Sequence, residues 1–178
     1  MSNLRFINET TITSGVSTVN IENVFSADFD IYKITSNGIS TVGTTQTDPD
    51  LRFINSSGSL ILASDYDYAH QIMRTDASFT EQKNTNEDEF YRFFGESVDQ
   101  TPEENGQVSY IFNPFSSSSY TFALYQSMVA SAGLTISMKG IGVLTQTSSI
   151  TGFQVKDNVG SRPFAGGTIR VYGLRVDS

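Results

Sequence analysis

Apolar residues in this chain recur with a period of two, in short runs broken by Gly, Asn, Ser and Thr. Few windows repeat them at i, i+3, i+4 and i+7 without such an interruption. A strand places alternate side chains on opposite faces, so this spacing suits half-buried β-strands and fits poorly to amphipathic helices. Candidate strands are Val16–Phe25, Phe29–Tyr32, Leu51–Ile54, Leu60–Ala63, Tyr66–Met73, Val108–Phe112, Tyr120–Leu124, Leu134–Val143, Ile150–Lys156 and Thr168–Val176. Ser36-Asn37-Gly38 reads as a turn that closes the second of them, because Asn-Gly readily takes positive φ. In Leu134–Val143 the apolar parity changes between Met138 and Ile141. An extra residue near Lys139-Gly140, a β-bulge, keeps one apolar face inward.

Composition supports this reading. The 178 residues include 24 Ser and 19 Thr, with 13 Phe, 8 Tyr and only 4 Pro. Threonine and the aromatics fit a pleated surface, while Ser, Asn and Gly serve the connections. Eight to ten short strands with regular turn chemistry indicate an all-β, antiparallel jelly-roll β-sandwich. At this length residues 1–178 are expected to form a single domain. Met1–Asn20 lacks the basic and apolar regions of a secretory signal, and no window approaches 18 consecutive apolar residues, so neither a signal nor a membrane span is expected.

Charge and residue chemistry exclude several functions. A net charge of -8 argues against nucleic acid and anionic membranes as partners. With no Cys there are no disulfides, thiolate metal sites or cysteine nucleophiles. His70 is the single histidine, and no Gly-x-Ser-x-Gly elbow presents a nucleophile to it, so it reads as a satisfied or partly exposed strand histidine. Asn84–Glu89 is dense in oxygen ligands but lacks the Gly and the terminal Glu of a calcium loop. Gly166-Gly167 is not followed by the Lys-Ser/Thr of a phosphate loop and reads as a tight turn into the last strand. No enzymatic activity, cofactor or metal is assigned.

Acidity is concentrated. Residues 76–106 hold nine acidic residues against Lys83 and Arg92, seven of the chain's eight net negative charges. Inside this stretch Phe90-Tyr91-Arg92-Phe93-Phe94 places four aromatics in five residues, which a solvated acidic loop has no use for. Residues 76–106 therefore read as an insertion anchored by that knot on the body of the domain or on a neighbouring subunit, with a further strand of the same sandwich as the competing reading. Phe90, Tyr91, Phe93 and Phe94, with Phe112 and Phe115 around Asn113-Pro114, are the candidate interface residues. Leu4–Asn8 recurs identically as Leu51–Asn55, but the flanks do not continue the match.

Ile150–Val155, a turn, and then Phe164-Ala-Gly-Gly-Thr-Ile-Arg-Val-Tyr-Gly-Leu174 resemble the closing strand pair of small virion structural proteins of tailed phages, especially marine phages and cyanophages. Val24–Tyr32 and Leu51–Phe53, followed by Gly58 and Tyr66, are similar to the first half of that family. The resemblance implies a non-enzymatic jelly-roll subunit of the virion. Such a subunit is a capsid decoration or cement protein, a homotrimer by analogy, whose partners are the major capsid protein and copies of itself. A tail or fibre component that binds surface glycans is the alternative; the absence of Trp counts against it.

Overall fold

The computed structural model describes residues 3–43, 47–76, 79–97, 104–131 and 133–175. Eleven strands and no helix are found among them: β1 (Leu4–Thr11), β2 (Thr18–Ile21), β3 (Ile31–Thr41), β4 (Pro49–Asn55), β5 (Tyr66–Arg74), β6 (Thr80–Glu87), β7 (Glu104–Phe112), β8 (Thr121–Ser131), β9 (Leu134–Leu144), β10 (Ile150–Asp157) and β11 (Phe164–Leu174). An eight-stranded antiparallel sheet, ordered β1-β11-β3-β7-β8-β9-β5-β6, faces a three-stranded one, β2-β10-β4. Their inner faces share one apolar core that includes Tyr32, Ile34, Phe53, Phe153, Phe164 and Val171. Among the described residues no helix is long and apolar enough to cross a membrane.

The pairing is nested. β1 pairs with β11 in the large sheet, β2 with β10 in the small one, and β3 with β7 in the large one. β4 then pairs with the single residue Phe90, whose N–H donates to Leu51 O at 2.9 Å and whose carbonyl accepts from Leu51 N–H at 3.1 Å. A hairpin rolled up so that successive pairs alternate between two sheets is a jelly roll. The expected all-β sandwich is therefore present, with a large addition: β8, β9, β5 and β6 extend the large sheet beyond β7.

That extension needs a roof, and the aromatic knot supplies it. After β6 the chain runs beside β4, where Phe94 N–H donates to Pro49 O (3.1 Å) and Ser97 N–H to Thr47 O (2.8 Å). Phe90 meets Tyr66 edge-on at 5.0 Å and Phe53 at 5.7 Å, Phe93 lies 4.8 Å from Tyr125, and Phe94 stacks near Phe153 at 6.4 Å. Residues 80–87 are an edge strand of the sandwich, residues 88–97 are a plug in the core, and 98–103 lie outside the described residues.

Several local expectations are corrected. β9 carries no bulge: its register with β5 and β8 is unbroken, so Ile141 and Val143 point outward while Gly140 and Gly142 point inward. Rings from elsewhere fill the glycine positions, since a Cβ on Gly140 would lie 2.3 Å from Tyr125 and one on Gly142 2.7 Å from Phe90. β3 does not turn at Asn37-Gly38. Gly38, at φ 65°, sits where β3 is out of step with β11 around Gly166-Gly167, so both glycine motifs serve a mid-strand irregularity. Leu60–Ala63 contributes only one bridge, Ile54 to Leu60. The repeated pentapeptides lie in strands of opposite character, exposed in β1 and largely buried in β4.

Candidate interaction face and a buried charge cluster

Alternation along β7, β8 and β9 gives the large sheet an outer face whose apolar side chains stay exposed among the described residues. The register aligns its residues in rows across the strands. One row runs Tyr110, Leu124, Ile141, Ala69, Lys83, and the next runs Phe112, Phe122, Val143, Asp67. Below them lies a polar row of Val108, Gln126, Lys139, Gln71 and Glu81. Phe122 (47%), Leu124 (46%), Ile141 (58%) and Met128 (58%) are the most exposed large apolar side chains of β8 and β9. Phe122, Leu124 and Ile141 at half exposure present on the order of 300 Å² in one patch, the size of the largest, often functional, apolar patch of a protein surface, and Met128 lies beyond the polar row. Two shallow depressions, of about 650 and 700 Å³, lie on either side of the Leu124–Ile141 pair.

The sheet's β6 edge is protected against strand addition. β6 reads Thr-Glu-Gln-Lys-Asn-Thr-Asn-Glu, almost wholly polar, and β4 is capped by Phe90. Charged and covered edges discourage the pairing of another chain's backbone. A partner is therefore offered the face and not that edge.

The expected interface residues are divided by the structure. Phe90, Phe93 and Phe94 are at most 1% exposed and belong to the core, so they present nothing to a partner. Tyr91 is half-buried, and its hydroxyl donates to Asp48 at 2.8 Å. Phe112 does lie on the outer face, at its β7 margin, beside Phe122. Phe115 is half-buried in the β7–β8 loop, where its carbonyl accepts from Ser149 Oγ at 3.0 Å. Sequence reasoning does not select Leu124, Ile141 or Met128, although the parity change in β9 is the signal for Ile141.

His70 faces inward, 3% exposed, with Nδ1 3.2 Å from Tyr125 Oη and Nε2 3.3 Å from Gln82 Oε1. Burial pushes its pKa below the ordinary histidine value. Asn84 and Asn86 are used where β6 slips in register against β5, with Asn84 bonded to Glu87 and Asn86 N–H donating to Asp67 at 2.9 Å. Among the described residues no group of three or more acidic or histidine side chains is arranged to hold a metal.

A second constellation lies on the small sheet, on the parity opposite its core residues Leu51 and Val155. Asp50 of β4 and Lys156 of β10 are directly opposed in register and are 0% and 7% exposed. Lys156 Nζ is 3.5 Å from Asp50 Oδ2 and 2.6 Å from Glu89 Oε2. Arg52 Nη2 holds the same Glu89 oxygen at 3.1 Å and also pairs with Asp88. Arg92, with φ 56°, aims its backbone N–H at Asp50 Oδ1 at 2.8 Å. Burial, and then the neighbouring Glu89 charge, push Asp50 up to about 9 against the opposing effect of that N–H. The acids of the plug are thus fastened to β4 and β10 and do not form a solvated loop.

No family model matches the sequence, and no curated protein matches it. Among solved structures the chain is similar to the marine PL-14 alginate lyase from Aplysia kurodai, at 7% identity over 86% of this chain and 72% of that one, TM-score 0.36. It is similar to xylan β-1,4-xylosidase from Bacillus halodurans C-125 at 5% identity over 92% and 32%, TM-score 0.30. The infectious bursal disease virus VP2 subviral particle follows at 8% identity over 98% and 41%, TM-score 0.17. Scores this low carry no argument about function, and the fold rests on its own strand order.

Proposed function

We propose that the chain is a virion structural protein, a capsid decoration or cement subunit that associates with copies of itself through the outer face of β7, β8 and β9. The observation behind this is the uncovered apolar patch around Leu124 and Ile141, on a sheet with a polar β6 edge. A standard interface buries about 800 Å² per partner, which the patch reaches together with its half-buried margin of Val108, Tyr110, Phe112 and Val143 and the polar row beside it. The strand motifs resembling tailed-phage virion proteins favour the capsid as the surface to which the oligomer binds.

Sedimentation velocity on the purified protein and on the double variant Leu124→Asp/Ile141→Lys tests the proposal. The wild type should sediment as an oligomer and the variant as a monomer with an unchanged melting temperature, since surface substitutions usually cost under about 0.5 kcal/mol. A wild type that stays monomeric at high concentration overturns self-association through this face. Imaging of particles incubated with the protein addresses the location: density on the capsid lattice supports decoration. Density confined to the tail, together with glycan-array binding, would replace it with the fibre reading.

A further inference from the structure

Asp50, Lys156 and Glu89 are placed for a reaction as well as for an ion pair. We propose that Lys156 and Asp50 become joined by an intramolecular amide bond, formed autocatalytically with Glu89 as the proton carrier. Three features of the site carry this. The amine and the carboxyl come from directly opposed positions of β4 and β10, with Nζ 3.5 Å from Asp50 Oδ2, so the amine is held against the group whose Cγ it attacks. Arg92 N–H already points at the other carboxyl oxygen at 2.8 Å, where negative charge develops when the carbonyl carbon becomes tetrahedral. Glu89 Oε2 touches the amine at 2.6 Å and is steadied by Arg52, so a base is in contact with the proton that must leave.

The steps balance without a co-reactant. Glu89 takes a proton from the Lys156 ammonium, and the neutral amine attacks Cγ of Asp50 in its acid form, which burial and the Glu89 charge favour. The C–N bond forms as the oxyanion at Oδ1 is held by Arg92 N–H. Glu89 then protonates the Oδ2 hydroxyl, the C–O bond breaks and water departs. Glu89 accepts the remaining proton from nitrogen and returns it to solvent, which it reaches through its 15% exposed side chain. The product ties together residues 106 positions apart, enclosing β5 to β9 in one covalent ring.

Intact mass spectrometry of the full chain under denaturing conditions tests the proposal. After allowing for the substitution, the wild type should be lighter than Lys156→Arg by one water. Its tryptic map should contain a branched peptide joining the segments that carry Asp50 and Lys156, uncut after Lys156. Glu89→Gln should retain the water, and Asp50→Asn should lose ammonia instead. Prolonged incubation of folded wild type with no mass loss overturns the proposal, as does a water loss that persists in Lys156→Arg. Should Glu89→Gln fail to fold, the wild-type mass and the branched peptide still decide the matter.

Discussion

Replacing Phe93 by Ala separates a core plug from an interface anchor. Phe93 is 0% exposed, and its ring lies 4.8 Å from Tyr125, 5.1 Å from Phe94 and 6.0 Å from Phe90. Returning a Phe side chain to water costs about 1.5–3 kcal/mol. Each lost ring pair adds about 0.5–1.5 kcal/mol, and unrelaxed cavity brings a typical buried Phe→Ala to about 3–5 kcal/mol. A chain of this size loses about 2–4 °C of melting temperature per kcal/mol, so the drop should be about 6–20 °C. Thermal melts by circular dichroism, with urea titrations as an equilibrium check, measure it. Phe122→Ala, on the outer face at 47% exposure, is the control and should move the melt far less. A Phe93→Ala melt within about 2 °C of wild type, accompanied by a change in oligomeric state, would refute the assignment of the plug to the chain's own core.

Two further substitutions probe the same region. The pKa of His70 is lowered by burial, so the unfolded chain takes up protons there before the folded one does; the neutral ring's stability is intact above about pH 6.5 and is lost as pH falls below it. His70→Gln should therefore flatten the slope of stability against pH below that value, read from urea midpoints across the range; an unchanged slope would contradict the burial argument. Gly140→Ala should destabilise by about 1–3 kcal/mol through overpacking, because the added methyl lies 2.3 Å from a Tyr125 ring atom. The same variant with Tyr125→Leu should recover much of that loss in denaturant titrations.

The alternating run of β5 was legible because burial on one face writes itself into local sequence. Asn37-Gly38 misled because a turn and a mid-strand irregularity both use positive φ, and only the partner strand decides between them. The aromatic knot announced burial without an address, since four aromatics look the same whether their own core or a neighbour receives them. In β9 the parity of Ile141 and Val143 was true evidence of an outward apolar face. It was lost because Gly140 and Gly142 seemed to leave the inward face empty, and the rings that fill it come from Tyr125 and from Phe90. The cluster of Asp50, Glu89 and Lys156 had no local signal at all: Lys156 is 106 residues from Asp50 and 67 from Glu89, and the β4–β10 register and the plug are what bring them together.

The first and last strands of the sandwich are each other's neighbours, with Leu4 opposite Leu174 and Arg175 N–H donating to Asn3 O at 2.8 Å. Tension applied to the two ends therefore arrives at one corner of the large sheet and acts across the β1–β11 ladder. Hydrogen-bonded pairs loaded in that direction open one after another, as in a zipper, and do not share the load as they do in shear. β1 is consequently a low-force release strip: it can peel away from β11 while β10 and β4, and the plug fastened to them, carry none of the pull.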